Sequence, residues 1–128
     1  MKILVAEDDV IMLASITQQL KQEGFTVISA DNGREAMQIF DNDTPDLVIT
    51  DIMMPFTSGL EFLNVIRNNS NSVPVLVLSA LDEEDTVMEA FNLGADDFLI
   101  KPVKPGELSI RVKRLLKKRV NNLHLKHF

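Results

Sequence analysis

The sequence predicts an α/β fold in which a doubly wound sheet of five parallel strands is covered by five helices. Short apolar runs, rich in β-branched residues and leucine, recur at regular intervals along the chain. Between these runs, apolar residues recur three or four positions apart, which is the spacing that the buried face of a helix requires. Strands that alternate with helices in this way predict parallel pairing through right-handed crossover connections.

Two of the five predicted strands are continuously apolar, as is typical of strands covered on both faces. The predicted strands are Ile3–Ala6, Thr26–Ser29, Leu47–Thr50, Val75–Leu78 and Phe98–Ile100. The helices are predicted from apolar stripes within Val10–Leu20, Ala36–Phe40, Leu60–Ile66, Val87–Phe91 and Leu108–Leu116. Gly24 and Gly94 are typical helix stops, and Pro105 suits the first turn of a helix.

Length and composition fit a single domain. The chain has 128 residues, of which 45% are hydrophobic and 25% charged, and this is enough for a core that needs no covalent support. The apolar periodicity is lost near the carboxyl terminus. We therefore expect one domain over residues 1–120, followed by a tail or the start of a linker over residues 121–128.

Composition also excludes several classes of protein. The sequence has no cysteine, which rules out a disulfide framework, a thiolate zinc site and a cysteine nucleophile. Its apolar runs fall far short of the roughly 18 residues of a membrane span. The first run stops at the acidic residues 7–9, unlike a secretory signal. We expect a soluble, cytoplasmic protein that does not contact the membrane.

Charge is distributed unevenly along the chain. The formal net charge is −6, but all 19 acidic residues lie at or before Glu107, whereas residues 111–128 carry seven basic residues. An acidic body disfavours direct binding of nucleic acid. The basic end is interpreted as the solvated side of a helix, where Lys and Arg suit the negative end of the helix dipole. Contact with nucleic acid or an acidic lipid surface is the alternative.

Polar residues follow the predicted strands at the points where the strands end. Acidic residues 7–9 follow the first strand, Asp51 the third, Ser79 the fourth and Lys101 the fifth. Because parallel strands end at one edge of a sheet, we expect these groups to share a crevice. Clustered carboxylates are best tolerated beside a hard cation such as Mg²⁺, and an ammonium group suits a phosphate oxygen.

Each of these residues also has a purely structural interpretation. Asp9 is expected to cap the following helix, Ser79 to serve a cap or a turn, and Lys101 to belong to a loop. Asp51 is harder to explain in this way, because an apolar strand rarely ends on a carboxylate without a partner. The joint occurrence of these groups at four strand ends therefore favours a functional site.

The same residues give the chain a resemblance to a known family, the receiver domains of two-component response regulators. The motifs are Lys2–Asp9, Pro45–Pro55, Gly59, Leu78–Ala80 and Gly94–Pro102. The resemblance spans residues 1–119 and implies a flavodoxin-like sheet with the strand order 2-1-3-4-5. It also implies phosphorylation by a sensor histidine kinase or a phosphotransfer protein. The implied protein is not an enzyme, except that it catalyses its own phosphorylation and dephosphorylation.

The resemblance implies roles for particular residues. Asp51 resembles the phosphoacceptor, and Lys101 resembles the lysine that pairs with the phosphoryl group. Glu7 and Asp8 are similar to the acidic pair of the family, so Mg²⁺ is the implied cofactor, with Asp8 a direct ligand and Glu7 acting through water. Asp51 and the backbone carbonyl of Met53 complete the implied ligand set.

The resemblance further implies a two-state switch. Ser79 resembles the switch hydroxyl and Phe98 the switch aromatic, although the family more often has Thr and Tyr at these positions. Met53 and Leu81 occupy positions that tune phosphoryl lifetime in the family. Neither side chain can hydrogen-bond an attacking water, which predicts slow self-dephosphorylation. The peptide Lys101–Pro102 is expected to be cis.

Two other functions are kept as alternatives. A pseudo-receiver would share the fold and act as an interaction module that is never phosphorylated. A small phosphatase of the haloacid dehalogenase type also uses a strand-end aspartate, but it places a second aspartate where this chain has Met53. In that phosphatase family the nucleophilic aspartate follows the first strand, whereas Asp51 follows the third predicted strand here. Nucleotide or flavin binding is disfavoured because the sequence has no glycine-rich phosphate loop.

The output is predicted from Gly94–Arg114, which resembles the winged-helix transcription-factor class of response regulators. Members of that class commonly dimerise through the fourth helix, fifth strand and fifth helix. Charged residues available for such a dimer are Asp96, Asp97, Glu107, Arg111 and Arg114. Val87 and Glu89 stand where basic partners are expected, so the ion-pair network is incomplete.

The 128 residues include no DNA-binding domain, so we expect a receiver cut from a longer regulator or a protein that works through partners. His124 and His127 are interpreted as solvated.

Overall fold

The computed structural model describes residues 1–69, 72–80 and 84–125. Strands and helices alternate along the described chain, as predicted. In chain order they are β1 (Lys2–Ala6), α1 (Val10–Gln22), β2 (Thr26–Ala30), α2 (Gly33–Asn42), β3 (Leu47–Asp51), α3 (Gly59–Asn69), β4 (Val75–Ser79), α4 (Glu84–Asn92), β5 (Asp97–Ile100) and α5 (Pro105–Leu125).

The five strands form one parallel sheet in the order β2-β1-β3-β4-β5, which confirms the predicted fold class. The first crossover runs outward from β1 to the edge strand β2, and the later ones run the other way through β3, β4 and β5. The direction in which successive strands are added to the sheet therefore reverses between β1 and β3. In sheets of this kind, ligands bind at the carboxyl ends of the strands where the winding reverses.

The core lies in two layers, one on each face of the sheet. Ile3 and Val5 of β1 pack on the face covered by α1 and α5, whereas Leu4 and Ala6 pack on the face covered by α2, α3 and α4. All five residues of β3 and of β4 are buried, as expected of strands that are covered on both faces. Because both faces are covered, the sheet forms a firm base for groups at its carboxyl edge.

Several helix ends lie where the sequence predicts them. Asp9 caps α1, since its Oδ1 accepts hydrogen bonds from the backbone N–H groups of Ile11 and Met12 at 3.0 and 3.1 Å. Gly24 and Gly94 have φ angles of 96° and 108°, the left-handed conformation that glycine adopts most easily after a helix. α5 begins at Pro105, also as predicted.

The last helix and two apolar positions differ from the predictions. α5 continues to Leu125, so residues 121–125 of the segment expected to be a tail or the start of a linker are helical; residues 126–128, with His127, lie outside the described residues. The segment contains no glycine or proline, and its lost periodicity reflects a lost buried face rather than the end of the helix. Val10 and Phe91 lie on predicted apolar stripes but are exposed. Among the described residues, no helix is both long and apolar enough to span a membrane.

Candidate functional site

The carboxyl ends of β1 and β3 bring three carboxylates together. Glu7 and Asp8 follow β1 and Asp51 ends β3, and one carboxylate oxygen from each lies within 4.8 Å of the other two. Glu7 is fully buried, Asp51 is 4% exposed and Asp8 is exposed. These residues therefore form an acidic pocket, with Glu7 and Asp51 at its floor and Asp8 at its open side.

The ammonium group of Lys101 contacts the two carboxylates at the floor of the acidic pocket. Its Nζ donates a hydrogen bond to Asp51 Oδ2 at 2.7 Å and lies 2.5 Å from Glu7 Oε1. The backbone N–H of Lys101 donates to the Ser79 carbonyl at 2.8 Å, which ties the end of β5 to the end of β4. The peptide between Lys101 and Pro102 is cis, as predicted. Among the described residues, Lys101 is the cation that pairs with these carboxylates, and it contacts two of the three, so the pocket has an excess of negative charge.

The pKa of Glu7 is raised by its surroundings. Burial is the main cause that raises the pKa of Glu7 to about 7, and the neighbouring Asp51 raises it further, while Lys101 and the backbone N–H of Asp9 oppose the shift. Burial pushes the pKa of Lys101 down, but its hydrogen bonds to Asp51 and Glu7 outweigh burial and raise that pKa overall. Another positive charge in the pocket would favour the ionised form of Glu7 and lower this pKa.

Replacing Glu7 with glutamine is expected to stabilise the metal-free protein at pH 8 by about 1–3 kcal/mol. Between pH 4.5, the ordinary pKa, and about 7, the unfolded chain has lost the Glu7 proton that the folded chain still holds. The free energy of unfolding therefore falls as the pH rises through this window, and the neutral amide removes that loss. Urea denaturation in a metal chelator at pH 5 and pH 8 measures the difference.

Glu89→Gln provides the matched control for Glu7→Gln, because Glu89 is an exposed residue of α4 and its replacement should change the free energy of unfolding equally at both pH values. A Glu7→Gln protein that is less stable than wild type at pH 8 would contradict the claim that the ionised Glu7 side chain destabilises the folded protein.

Ser79 and Phe98 lie on the same side of the sheet. Ser79 ends β4 and is buried, and it stands two residues after Val77, which packs on the face covered by α2, α3 and α4. Phe98 is half-buried, packs against the same layer, and pairs with Val77 across the β4–β5 ladder. Because side chains two residues apart share a face of a strand, Ser79 and Phe98 both face this layer.

The structure adds contacts around Asp51 that sequence reasoning missed. The backbone N–H of Met53 points to Asp51 Oδ1 at 3.4 Å, and the buried Thr50 hydroxyl donates to the Asp51 carbonyl at 3.0 Å. The loop after β3 is closed by a hydrogen bond from the Gly59 N–H to the Ile52 carbonyl at 2.7 Å. Thr50 is a polar residue at the end of an apolar run, and this position was the sequence signal that could have pointed to its hydrogen bond. The loop contacts had no local sequence signal.

The donor set of the acidic pocket fits a hard divalent cation. Its ligands are carboxylate oxygens, which hard cations prefer, and the exposed Asp8 leaves the pocket open on one side. These residues could therefore hold Mg²⁺, whereas the sequence has no thiolate that would favour a softer metal.

A doubly wound sheet with an acidic pocket, a lysine and a hydroxyl at its carboxyl edge is the arrangement of a signal-receiving domain. Residues 3–113 match the response regulator receiver domain, and the chain belongs to this family. The recognition made from the sequence is thereby confirmed.

Relatives and solved structures agree with this membership. The chain is 39% identical to the alkaline phosphatase synthesis transcriptional regulatory protein SphR of Synechococcus elongatus, over 94% of this chain and 50% of that protein. It is 36% identical to the protein PhoP of Bacillus subtilis, which has the same descriptive name, over 91% of this chain and 49% of that protein. The solved Francisella response regulator 1452 receiver domain is 35% identical, with a TM-score of 0.87 over 91% of this chain and 97% of that one. The chain thus spans about half the length of the curated relatives it matches.

Proposed function

We propose that the chain is the phosphorylatable receiver of a cytoplasmic two-component system, in which Asp51 accepts a phosphoryl group from a histidine kinase or a phosphotransfer protein. The observation that carries the proposal is the position of Asp51 at the floor of the acidic pocket, bonded to Lys101 and beside two further carboxylates. A pseudo-receiver has no need for this charged arrangement. A phosphatase is disfavoured because Met53 stands where that mechanism requires a second aspartate.

The transfer step requires positioning and charge neutralisation rather than a strong base. A carboxylate oxygen of Asp51 attacks the phosphorus atom, and a new O–P bond forms as the N–P bond to the donor imidazole breaks. The electron pair of that bond returns to the ring nitrogen of the donor. Lys101, already 2.7 Å from Asp51 Oδ2, is placed to neutralise charge on the incoming phosphoryl oxygens. The chain acts on itself alone and turns over no external substrate beyond its phosphoryl donor.

Glu7, Asp8, Asp51 and the backbone carbonyl of Met53 are proposed to hold Mg²⁺. The bound cation supplies neutralisation of phosphoryl charge in the transition state. Asp8 is the exposed member of this set and suits direct ligation, whereas Glu7 lies deeper and suits a contact through water. The acidic pocket of the structure supports this set by bringing the three carboxylates together.

Intact-mass measurement after incubation with acetyl phosphate tests the proposed function. We expect a gain of one phosphoryl group that requires Mg²⁺ and is absent from Asp51→Asn. Asp46→Asn is the matched control and should gain the group as wild type does. If acetyl phosphate and a phosphorylated histidine kinase both leave the mass unchanged, the pseudo-receiver is the correct interpretation.

Slow self-dephosphorylation is expected of the phosphorylated chain, with a half-life far longer than seconds. The Met53 side chain is exposed and offers no group that can orient an attacking water; Leu81, the other residue of this prediction, lies outside the described residues. Met53→Gln supplies such a group and should shorten the half-life about three- to tenfold. Loss of the phosphoryl mass over time measures it, with Met88→Gln on α4 as control. A wild-type half-life of seconds would contradict the prediction.

Ser79 and Phe98 are proposed as the switch. Phosphorylation adds negative charge and acceptor oxygens beside the end of β4, and the Ser79 hydroxyl can move to donate to one of them. That movement changes the packing beside Phe98, which shares its layer of the core. The switch therefore links the acidic pocket to the surface formed by α4, β5 and α5.

The surface of α4, β5 and α5 is proposed to form a homodimer after phosphorylation. Its exposed large apolar side chains are Met88, Phe91, Ile100, Ile110 and Val120. The acidic residues expected to pair between protomers have partners within the chain: Asp97 accepts from Arg111 at 2.9 Å and Asp96 from Arg67 at 2.8 Å. Apolar contact is therefore the main attraction that this surface offers, and its ion pairs would have to rearrange on dimerisation.

Sedimentation velocity of the acetyl phosphate-treated chain tests the dimer. Wild type is expected to become dimeric, and Ile110→Glu is expected to remain monomeric because a charge replaces an exposed apolar contact. Ile11→Glu on α1 is the control, since Ile11 is also exposed but lies on a different surface. A dimer that persists in Ile110→Glu, or a wild type that stays monomeric, would contradict the proposed interface.

The output of the switch is proposed to be transcriptional. SphR and PhoP are both named as transcriptional regulatory proteins, and this chain spans about half of each. A DNA-binding domain carried elsewhere in a longer protein, or a partner protein, would receive the change at α4, β5 and α5. Any contact with DNA would be made through that second domain, because the receiver body is acidic.

A further inference from the structure

The loop that follows Asp51 rests against the beginning of α2, close to the acidic pocket. We propose that Arg34 and Phe56 form a positioning pair that holds this loop, residues 52–58, so that the main chain of Met53 faces the acidic pocket. The inference rests on the proposed function, because the metal site is where its effect would be felt.

Phe56 adopts an unfavourable conformation in an unfavourable environment. Its φ angle is 71°, and among the described residues it is the one non-glycine residue with a positive φ. For a bulky side chain this backbone conformation is strained. The residue is also 71% exposed, so burial does not compensate for the strain. A backbone hydrogen bond across the residue, from the Thr57 N–H to the Pro55 carbonyl at 2.9 Å, accompanies this φ angle. The position of the exposed ring is left to be set by a side-chain contact.

Arg34 supplies that contact. Its Cζ lies 4.4 Å from the centroid of the Phe56 ring, within the range of a cation–π interaction. Arg34 stands in the first turn of α2, where Asn32 fixes the helix start by accepting a hydrogen bond from the Glu35 N–H at 2.8 Å. The guanidinium is therefore presented to the ring from the ordered end of a helix.

Gly33 forms a second attachment between α2 and the loop. Its N–H donates a long hydrogen bond of 3.5 Å to the Pro55 carbonyl. A Cβ atom at Gly33 would lie 2.2 Å from the Thr57 carbonyl oxygen, so the loop lies directly on the glycine backbone. The ring and the backbone contacts together fix the middle of the loop to the start of α2.

The other parts of the loop are fixed at Asp51. The Gly59 N–H closes the loop onto the Ile52 carbonyl at 2.7 Å, and the Met53 N–H faces Asp51 Oδ1 at 3.4 Å. Because the loop is short and closed at its base, a displacement at Phe56 is transmitted to Met53. Loss of the Arg34–Phe56 contact should therefore misplace the main chain that borders the metal site.

Arg34→Met and Phe56→Asn test the positioning pair, because methionine removes the cation and asparagine removes the ring while tolerating a positive φ. Two readouts are used: the apparent Mg²⁺ dissociation constant from thermal shift in a titration with the metal alone, and hydrogen exchange of the Met53 amide without metal. Each substitution is expected to raise both the dissociation constant and the exchange rate about two- to fivefold.

The direction in which Arg34→Met changes the Mg²⁺ affinity distinguishes loss of positioning from loss of charge. Removal of a positive charge near an acidic pocket would by electrostatics alone tighten cation binding, whereas loss of positioning weakens it. The double variant is expected to show no larger effect than either single one, since both remove the same contact. Phe56→Trp preserves an aromatic face beneath Arg34 and should retain wild-type values in both measurements.

Three results decide between the explanations. Unchanged Mg²⁺ affinity and unchanged Met53 exchange in both single variants would overturn the positioning pair, even if their stability falls. Tighter Mg²⁺ binding in Arg34→Met would also overturn it. A wild-type chain that binds no Mg²⁺ would contradict the proposed function instead, and Met53 exchange would then still show whether the pair orders the loop.

Discussion

Replacing Lys101 with methionine is expected to slow Mg²⁺-dependent phosphorylation about 100-fold and, at the same time, to tighten Mg²⁺ binding. The ammonium lies 2.7 Å from Asp51 Oδ2 and 2.5 Å from Glu7 Oε1. In the proposed mechanism it would neutralise phosphoryl charge during transfer, but it would also repel a divalent cation bound to the same carboxylates. Intact mass against time with acetyl phosphate measures the rate, and thermal shift against Mg²⁺ concentration measures the affinity.

Lys104→Met is the control for this prediction. Lys104 is exposed and follows Lys101 by three residues, so its loss should change neither the rate nor the affinity appreciably. If Lys101→Met instead weakens Mg²⁺ binding along with the rate, the substitution has disrupted the acidic pocket. That outcome would contradict the charge role assigned to Lys101.

Replacing Gly59 with alanine is expected to destabilise the folded protein by about 3 kcal/mol or more. A Cβ atom at this position would lie 2.0 Å from the Asp51 carbonyl oxygen and 2.8 Å from the Ile52 Cα. Both neighbours are backbone atoms, so no side chain can rotate away to make room. The loop after β3 would have to shift from Asp51, and urea denaturation should show the loss of stability.

Gly106→Ala is the matched control for the Gly59 substitution. Gly106 lies in the first turn of α5, and a Cβ there would meet no described heavy atom within 4 Å. Alanine has the better helix propensity, so this substitution is expected to stabilise the protein by about 0.5–1 kcal/mol. A Gly59→Ala protein as stable as wild type would contradict the close contact between α3 and the end of β3.

Much of the fold could be predicted from the sequence because its signals are local. The apolar runs Leu47–Ile49 and Val75–Leu78 lie in β3 and β4, which are buried on both faces in the middle of the sheet. Because parallel strands end at one carboxyl edge, the positions of Asp51 and Lys101 at strand ends were enough to predict that they lie close together. The convergence of the acidic pocket therefore follows from topology and motif position.

Other features depend on contacts that no local pattern reveals. Arg34 and Phe56 are distant in sequence, and their contact requires α2 and the loop after β3 to be packed side by side. The pairing of Asp97 with Arg111 inside the chain likewise depends on the packing of α5 against β5. The helical pattern also predicted too early an end for α5, because periodicity reports burial and α5 continues beyond its buried face.

The most direct test of the central claim is to locate the phosphoryl group on the chain. Borohydride reduces an acyl phosphate of aspartate to homoserine and releases phosphate, so tandem mass spectrometry of the treated protein can identify the modified residue. We expect homoserine at position 51 after incubation with acetyl phosphate and Mg²⁺, and unmodified aspartate when Mg²⁺ is omitted. Homoserine at another aspartate, with Asp51 unmodified, would contradict the assignment of Asp51 as the phosphoacceptor.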